Sequence, residues 1–549
     1  MSPHVATARF PGEGHPRRRA ILAALCAALL VMSVSVMAVT IALPSIALDL
    51  RATTAQLQWI TEAAVLALAS LLIAMGALTD RAGGRRVLMA GLGVFALASI
   101  LAVLSRTPEQ LIAARVVQGA GNAMITPATL AILRTVFPRS ELPKALAAWG
   151  VVASLGVVLG PLSGGLLVEH FGWRSLFVAN VVVLAGAWVA IVRVVPAAPG
   201  PPAAPGSPAA PGPPGVPAGG RVEGRFDVLG VLLVSGGFVA MVHAVIEGPY
   251  RGWASPVTLG EAGVAALLLA GFAVRQWRVA QTEATARGAA EDRRRDADEG
   301  GRRGVVPLLD LRMVARRSFW PAALAAGTGF FALMGVLFLL TQYLQDVRGH
   351  SPSEAALLLL PVAAAQLGMA PLVVRAIARY GTRRTAAAGL AVLAAGAASM
   401  AGGIRTGELV LLIGGLAVLA AGNAVAVNAA GTAMMASAPA ARSGSAGGVN
   451  ETAFKLGGSL GVAVLGGLAG GRLATLLDPG TAVPRSISGV LDAARNLGGP
   501  EGDRLAAVAT TAFTDAFGTA ALVTACLAAG SAVLTALLLH EPDDSERTD

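Results

Sequence analysis

The sequence predicts an all-α polytopic membrane protein with about fourteen transmembrane helices. Three observations lead there. The 549 residues are 55% hydrophobic and only 13% charged, where a soluble domain carries roughly 25% charged residues. Mean hydropathy is +0.68. Apolar runs of about 20 residues, the length that crosses a bilayer, recur along nearly the whole chain, and the cations gather in loops on one side of that series.

The first six runs fall at 20–42, 58–79, 87–105, 109–133, 145–168 and 175–195. The opening run follows Arg17, Arg18 and Arg19, but it is too long for the core of a signal peptide, so it is expected to stay as a helix. Residues 196–220 are nearly all Pro, Ala and Gly and read as a semi-extended tether. Two further runs, 228–247 and 257–275, precede a charged stretch at 280–304 that contains Arg293, Arg294, Arg295 and Asp296 and should be solvated. A second series follows at 320–341, 354–376, 385–403, 408–434, 446–470 and 512–538, with 472–511 as an outer loop that has room for short helices. The expected organisation is a six-helix bundle at 1–195, a linker at 196–227, two accessory helices at 228–275, a charged loop at 276–319, a second six-helix bundle at 320–540 and a tail at 541–549.

Charge placement sets the expected orientation. With the N-terminus in the cytoplasm and the chain alternating, most of the 42 Lys and Arg fall on the cytoplasmic side. Among them are Arg81, Arg85, Arg86, Arg134, Arg139, Lys144, Arg379, Arg383 and Arg384. Both termini are then cytoplasmic. The formal charge of +10 therefore reports topology and no nucleic-acid partner is expected. Cys26 and Cys526 lie in apolar runs and read as buried thiols, not as a disulfide or metal pair. The six histidines share no ligand spacing, so no metal is expected. Neither lysine, Lys144 or Lys455, follows a glycine, which excludes a GxxxxGK[ST] phosphate loop and an ATPase. No nucleophile–base constellation suggests an enzyme.

Four motifs carry the functional reading. GALTDRAGGRR at 76–86 joins the second and third runs, and its Gly76, Asp80, Arg81, Gly83, Arg85 and Arg86 make a tight turn with an acid able to pair with nearby arginines. A basic turn on the cytoplasmic side is the alternative, and it weakens as further motifs accumulate in register. An echo without the acid, ARYGTRR, stands at 378–384. In LIAARVVQGAGNA at 111–123, Arg115, Gln118 and Asn122 share one side of a helix. An arginine in a span costs about 2.5–3.5 kcal/mol on insertion scales, so it faces the protein interior, whether as a functional group or as a hydrogen-bonding anchor. In SLGVVLGPLSGG at 154–165, Gly156, Gly160, Gly164 and Gly165 form a stripe without side chains, and Pro161 removes a backbone hydrogen bond. GGVNETAFKLGGSLGVA at 447–463 places Asn450, Glu451 and Lys455 at the start of the thirteenth run.

These motifs, with IALPSI at 41–46, LQWITEA at 57–63, GWRSLFVANV at 172–181, PLLDLRM at 307–313 and YLQDVRGHSPSEAALLLLP at 343–361, resemble the major facilitator superfamily, in particular its fourteen-helix drug:proton antiporter branch. The resemblance runs from about residue 20 to 538. It implies two six-helix bundles flanking two accessory helices, alternating access to a midplane cavity, and export of small amphipathic drugs or natural products from the cytoplasm through the cell membrane by a monomer. No cofactor is implied beyond the proton gradient. The 76–86 segment matches the family's G-x-L-x-D-R-x-G-R-R signature except at Gly84, and 115–121 matches its R-x-x-Q-G-x-G, whose arginine is associated with proton coupling. Residues 156–165 match the G-x-x-x-G-P-x-x-G-G motif of the antiporters. A metabolite exchanger or importer would share this fold, and a non-transporting sensor is a further reading.

A coupled antiporter needs a group that alternates between protonated and ionised forms, and burial favours the neutral form of a carboxyl. Glu62 and Glu451 occupy positions that are often acidic in relatives exporting lipophilic cations. Glu62 serves proton or cation binding, or else is an interfacial acid. Glu451 is a proton site, or pairs with Lys455 at i+4. Gln118, Asn122, Asn450 and Lys455 are the polar candidates for the cavity. The branch's first-helix acid is replaced by Ser35. Asp227 and Glu247 read as interfacial anchors, and His243 as a packed core histidine.

Overall fold

The computed structural model describes residues 16–138, 141–195, 227–293, 319–436, 443–474 and 485–539. The Pro/Ala/Gly tether, most of the charged loop, the PLLDLRM segment and the tail lie outside the described residues. The described chain is helical: α1 (Arg18–Leu50), α2 (Thr54–Ala82), α3 (Gly84–Leu104), α4 (Pro108–Val136), α5 (Leu142–Phe171) and α6 (Arg174–Val194) form the first bundle. The accessory pair is α7 (Val228–Arg251) and α8 (Pro256–Arg293). Then come α9 (Phe319–Gln342), which ends in a π turn at Tyr343–Val347, α10 (Pro352–Leu358), α11 (Leu360–Thr406), α12 (Leu409–Ala436), α13 (Ser443–Ala474), α14 (Ile487–Leu497) and α15 (Gly499–Leu538).

Twelve segments among the described residues are long and apolar enough to cross a membrane. One of them, Pro352–Thr406, has 55 residues, which at about 1.5 Å per residue is more than twice a bilayer core. It breaks at Gly381, whose φ of 79° is open to glycine at little cost. The two arms fall on the separate runs read at 354–376 and 385–403. Fourteen crossings would result from counting those arms apart and adding the 30-residue α5. Side chains such as Leu267, Val374 and Val410 are 74%, 70% and 87% exposed, a surface suited to lipid and costly in water.

Some boundaries differ from the sequence reading. Residues 276–293 belong to helix α8, because QTEATARGAAEDR is rich in good helix formers. The loop read at 472–511 ends early: α14 occupies part of it, and α15 starts at Gly499, where Pro500 fits the first turn. Cys526 is exposed on α15, while Cys26 is half-buried.

The two bundles repeat one another. Gly83 (φ 89°) turns α2 into α3 as Gly381 joins the arms of α11. Two residues on in each case, an arginine clamps the last helix of its own bundle: Arg85 Nη2 donates to the Val192 carbonyl at 3.1 Å, and Arg383 Nε to that of Ala536 at 2.6 Å. The turns mark one end of the molecule, here the Gly83 end; the α5–α6 turn marks the opposite, Gly172 end. At the Gly83 end Arg18 grips Glu141 through Nε and Nη2, at 2.7 and 3.0 Å. This bond holds the Glu141 carboxyl below the usual carboxylate range. Its contribution is therefore present above that range and lost as pH falls through the depressed value.

At the Gly172 end the two bundles share one core, which runs from Ala38–Leu50 of α1 through Ala332–Leu344 of α9 to Phe513–Ala528 of α15. Toward the Gly83 end the cores separate. One is built from α1 and α3–α6 around Leu25, Leu88, Phe95 and Leu133; the other from α9, α11, α12 and α15 around Phe319, Leu390 and Met434. The halves are therefore joined at one end and parted at the other.

The glycine stripe of α5 explains how its helix sits. A Cβ at Gly164 would meet Ala38 at 3.0 Å, one at Gly160 would meet Met37 at 2.5 Å, and one at Gly156 would press on the Ser33 backbone, all on α1. Gly165 turns the other way, and a Cβ there would lie 2.6 Å from the Pro352 carbonyl of the second half. Gly156→Val should lower stability by about 1–3 kcal/mol through overpacking, whereas Gly93→Ala, with nothing within 4 Å of its added carbon, should be silent. Thermal unfolding of the two variants in detergent checks this.

Candidate functional site

The site grows from the packing of α2 on α4. Thr53 and Gln56 form a reciprocal cap that starts α2, and Thr107 caps α4 ahead of Pro108. Gly119 lets the helices approach until a Cβ there would strike Ala64 and Ala67. That contact sets Arg115, 1% exposed, against the α2 backbone. Arg115 Nε donates to the Ile60 carbonyl at 3.0 Å and Nη1 to Gln118 Oε1 at 2.8 Å. Gln118 Nε2 donates to Ser99 Oγ at 2.9 Å, and Ser99 donates to the Phe95 carbonyl at 2.9 Å. The chain of donors orients the guanidinium, yet its buried Nη2 has no partner among the described residues.

Glu62 stands one turn past Gln58 on α2 and is 3% exposed. Its Oε2 accepts a hydrogen bond from Ser459 of α13, in the other half. Gln58 Nε2 reaches the same helix, donating to the carbonyls of Val462 at 2.7 Å and Ala463 at 3.0 Å. Arg115 and Lys455 both act on the charge of Glu62. A buried acid thus lies on the seam between the halves, with cations on both sides. Other polar contacts between the halves, Thr54 to the Arg485 carbonyl, Gln345 to that of Ile41, and the Ser353 amide to Glu169, lie nearer the Gly172 end.

The other candidates scatter. Asn122 does not join the Arg115–Gln118 pair; its Oδ1 accepts from Thr126 at 3.3 Å. Glu451 is exposed, and no ion pair between it and Lys455 forms among the described residues. Asn450 is near Gly431 of α12, with its buried Oδ1 unpartnered among the described residues. Gly76 faces Pro127 of α4 and Arg86 is exposed. The side chains of Asp80 and Arg81 lie outside the described residues. Pro161 sits inside α5.

The groups read as anchors or core residues are placed as follows. Asp227 is buried at the start of α7, where it caps the helix through the Gly230 amide and accepts from Arg275 at 2.6 Å and Gln276 at 2.9 Å. His243 is no core histidine, being 35% exposed and 3.0 Å from Glu261. Glu247 pairs with Arg251 at 3.4 Å. Ser35 accepts a bond from Asn180 at 2.9 Å. Ser459, Gln58 and Ser99 were not singled out in advance. The first two lie within motifs noted above, but small neutral residues acquire meaning only from what faces them.

A family model described as Major Facilitator Superfamily matches residues 23–462. Among curated proteins, the tetracenomycin C resistance and export protein of Streptomyces glaucescens is 32% identical over 536 residues, covering 93% of this chain and 89% of its own. The multidrug efflux pump LfrA of Mycolicibacterium smegmatis is 31% identical over 446 residues, covering 81% and 79%. Among solved structures, a bacterial homolog to the human lysosomal transporter Spinster aligns with a TM-score of 0.62 at 16% identity, over 96% of this chain and 98% of that one, a likeness of fold.

Gln118→Leu removes one acceptor from Arg115 and one donor from Ser99. It should cost about 1–3 kcal/mol and lower the melting temperature in detergent. Asn122→Ala, which frees only a bond within its own helix, should shift it little; tryptophan fluorescence on heating compares them.

Proposed function

The chain belongs to the major facilitator superfamily, and from that premise we propose that it is a proton-coupled antiporter exporting amphipathic drugs or natural products across the cell membrane by alternating access. It is a transporter and not an enzyme. The observation that carries the reading is Glu62, a buried carboxyl on the seam between the halves, bonded to Ser459 of one and neighboured by Arg115 of the other. The printed names of the export protein and the efflux pump support the direction of transport. So does the glycine–proline stripe of α5, which packs on α1 and meets the second half at Gly165.

The basic turns at Arg85 and Arg383 favour placing the Gly83 end in the cytoplasm. The parted cores then admit substrate from inside, and the shared core closes the outer side. A proton entering from outside exchanges for substrate at Glu62. No cofactor is required, since a potential of about 100 mV supplies about 2.3 kcal/mol per proton and each pH unit adds about 1.4. A monomer is sufficient for this cycle. The acid favours a cationic substrate, which competes with the proton for one carboxylate.

In an efflux-deficient host, Glu62→Gln and Arg115→Ala should each lower resistance and proton-driven efflux by about tenfold or more, as loss of a buried charge partner of about 1.4 kcal/mol or more requires. If both variants match the wild type on every exported compound, the assignment fails. A loss for cations alone in Glu62→Gln would assign Glu62 to cation recognition.

A further inference from the structure

Two helices of the second half, α9 and α13, each touch neighbours on three sides and leave a fourth. On α9, Gly335 lies against Gly461 of α13, Gly329 against Asn423 of α12, and Thr328 against Ser531 of α15, with 3.2 Å between the hydroxyls. The side turned away from α15 carries Phe330 and Met334, one turn apart. On α13, Gly461 lies against α9, Gly467 and Gly471 against Pro249 of α7, and Ser459 and Gly466 against Glu62 and Gln58 of α2. The side turned away from α7, between α9 and α2, carries Phe454 and Gly458. These two sides meet. The rings of Phe330 and Phe454 stack with centroids 4.7 Å apart and planes 21° from parallel, and a Cβ at Gly458 would lie 3.1 Å from Met334.

The ring pair stands where the halves begin to part. Just before Phe330 on α9, Ala326 belongs to the separate core of the second half; just after it, Ala332 belongs to the core that both halves share. Both rings are half-buried, whereas Phe319, Phe338, Phe513 and Phe517 are buried. Since α15 and α7 cover the opposite sides of α9 and α13, the rings open onto the cleft between the halves.

An aromatic face is negative at its centre and positive at its edge, so rings stack with an offset, and a further flat ring system extends such a stack. Stacking tolerates varied substituents, because every fused aromatic presents a π-face, and it gains when positive charge lies over a ring. Ser459, which donates to Glu62, stands beyond Phe454 on α13 by a rise of about 7.5 Å toward the Gly172 end. Gly458 leaves that step without a side chain. Lys455 follows Phe454 in the chain and Arg115 bonds to α2 at Ile60, so the charges around the platform are mixed and shape is what the rings add.

We propose that Phe330 and Phe454 form an aromatic platform that selects planar, fused-ring substrates, holding the ring system against the second half with its polar end toward Glu62. This rests on the antiport reading and names the substrate class of the same cavity. A compound of equal charge whose rings splay apart cannot lie flat on the pair and gains little from it.

The test compares two monovalent cations in everted membrane vesicles: ethidium, whose fused rings are flat, and tetraphenylphosphonium, whose phenyl groups splay around phosphorus. In Phe330→Leu and in Phe454→Leu the half-saturating concentration of ethidium should rise about tenfold relative to that of tetraphenylphosphonium, equal to about 1.4 kcal/mol. Phe454→Tyr, which keeps a ring, should recover most of that ratio. Phe171→Leu, which removes a ring 75% exposed at the Gly172 end, should leave it unchanged. The proposal is overturned if both leucine variants keep the wild-type ratio, or if transport of the two cations suffers alike, as a packing role alone demands. Photolabelling of the wild-type chain with an azide of ethidium reads the site without any variant. Label should fall within Phe319–Gln342 or Ser443–Ala474, and label confined to other helices overturns the proposal. Wild type that moves tetraphenylphosphonium but not ethidium overturns it too and leaves the antiport reading intact. Wild type that moves neither cation with a proton gradient removes that reading, and this inference with it.

Discussion

Burial of Arg115 is the constraint from which the rest of the first bundle follows. A guanidinium cannot shed its proton at any ordinary pH, so in a water-poor interior its charge must be met by fixed protein groups. The Ile60 carbonyl and the Gln118 side chain meet two of its donors, and Ser99 fixes Gln118 in turn. That chain ties α2, α3 and α4 together at one depth. It also leaves one donor unspent close to the acid on the seam.

Such a network needs helices that approach closely, and lipid supplies little hydrophobic force to press them together. Glycines do it by removing side chains from the contact. Gly91 and Gly121 bring α3 and α4 together, and Gly389 and Gly422 do the same for α11 and α12 at the matching place in the second half. Gly457 and Gly461 set α13 against α9 as Gly156 and Gly160 set α5 against α1. The repeat is therefore one of backbone contacts more than of residues. It explains how two halves with limited sequence likeness share one architecture.

The halves differ in what they bring to the seam. The first contributes an acid and an arginine, the second a hydroxyl and an ammonium. Their apolar cores merge at the Gly172 end and separate toward the Gly83 end. The hydrogen bonds named above between the halves lie in that merged region or at its edge. A contact at the inner edge of such a region is the one most sensitive to their relative rotation, and Glu62 with Ser459 occupies that edge.

Hydropathy and charge placement alone determined that the chain is a helical membrane protein, roughly where its apolar runs lie and which loops are basic, because bilayer thickness and the cost of unpaired charge act on each segment locally. The candidate acid and arginine were legible for the same reason: Glu62 and Arg115 are expensive where they stand, and expense invites a reason. What tertiary structure decided is pairing. Glu62 meets a hydroxyl of the other half, that of Ser459, while Lys455 forms no ion pair with Glu451 among the described residues. Asp227 read as an interfacial anchor and His243 as a packed core histidine, and only the placement of α8 showed Arg275 and Glu261 against them. Ser459 carries no signal at all in one dimension, since a hydroxyl takes its role from the group opposite, and that group is nearly four hundred residues distant along the chain.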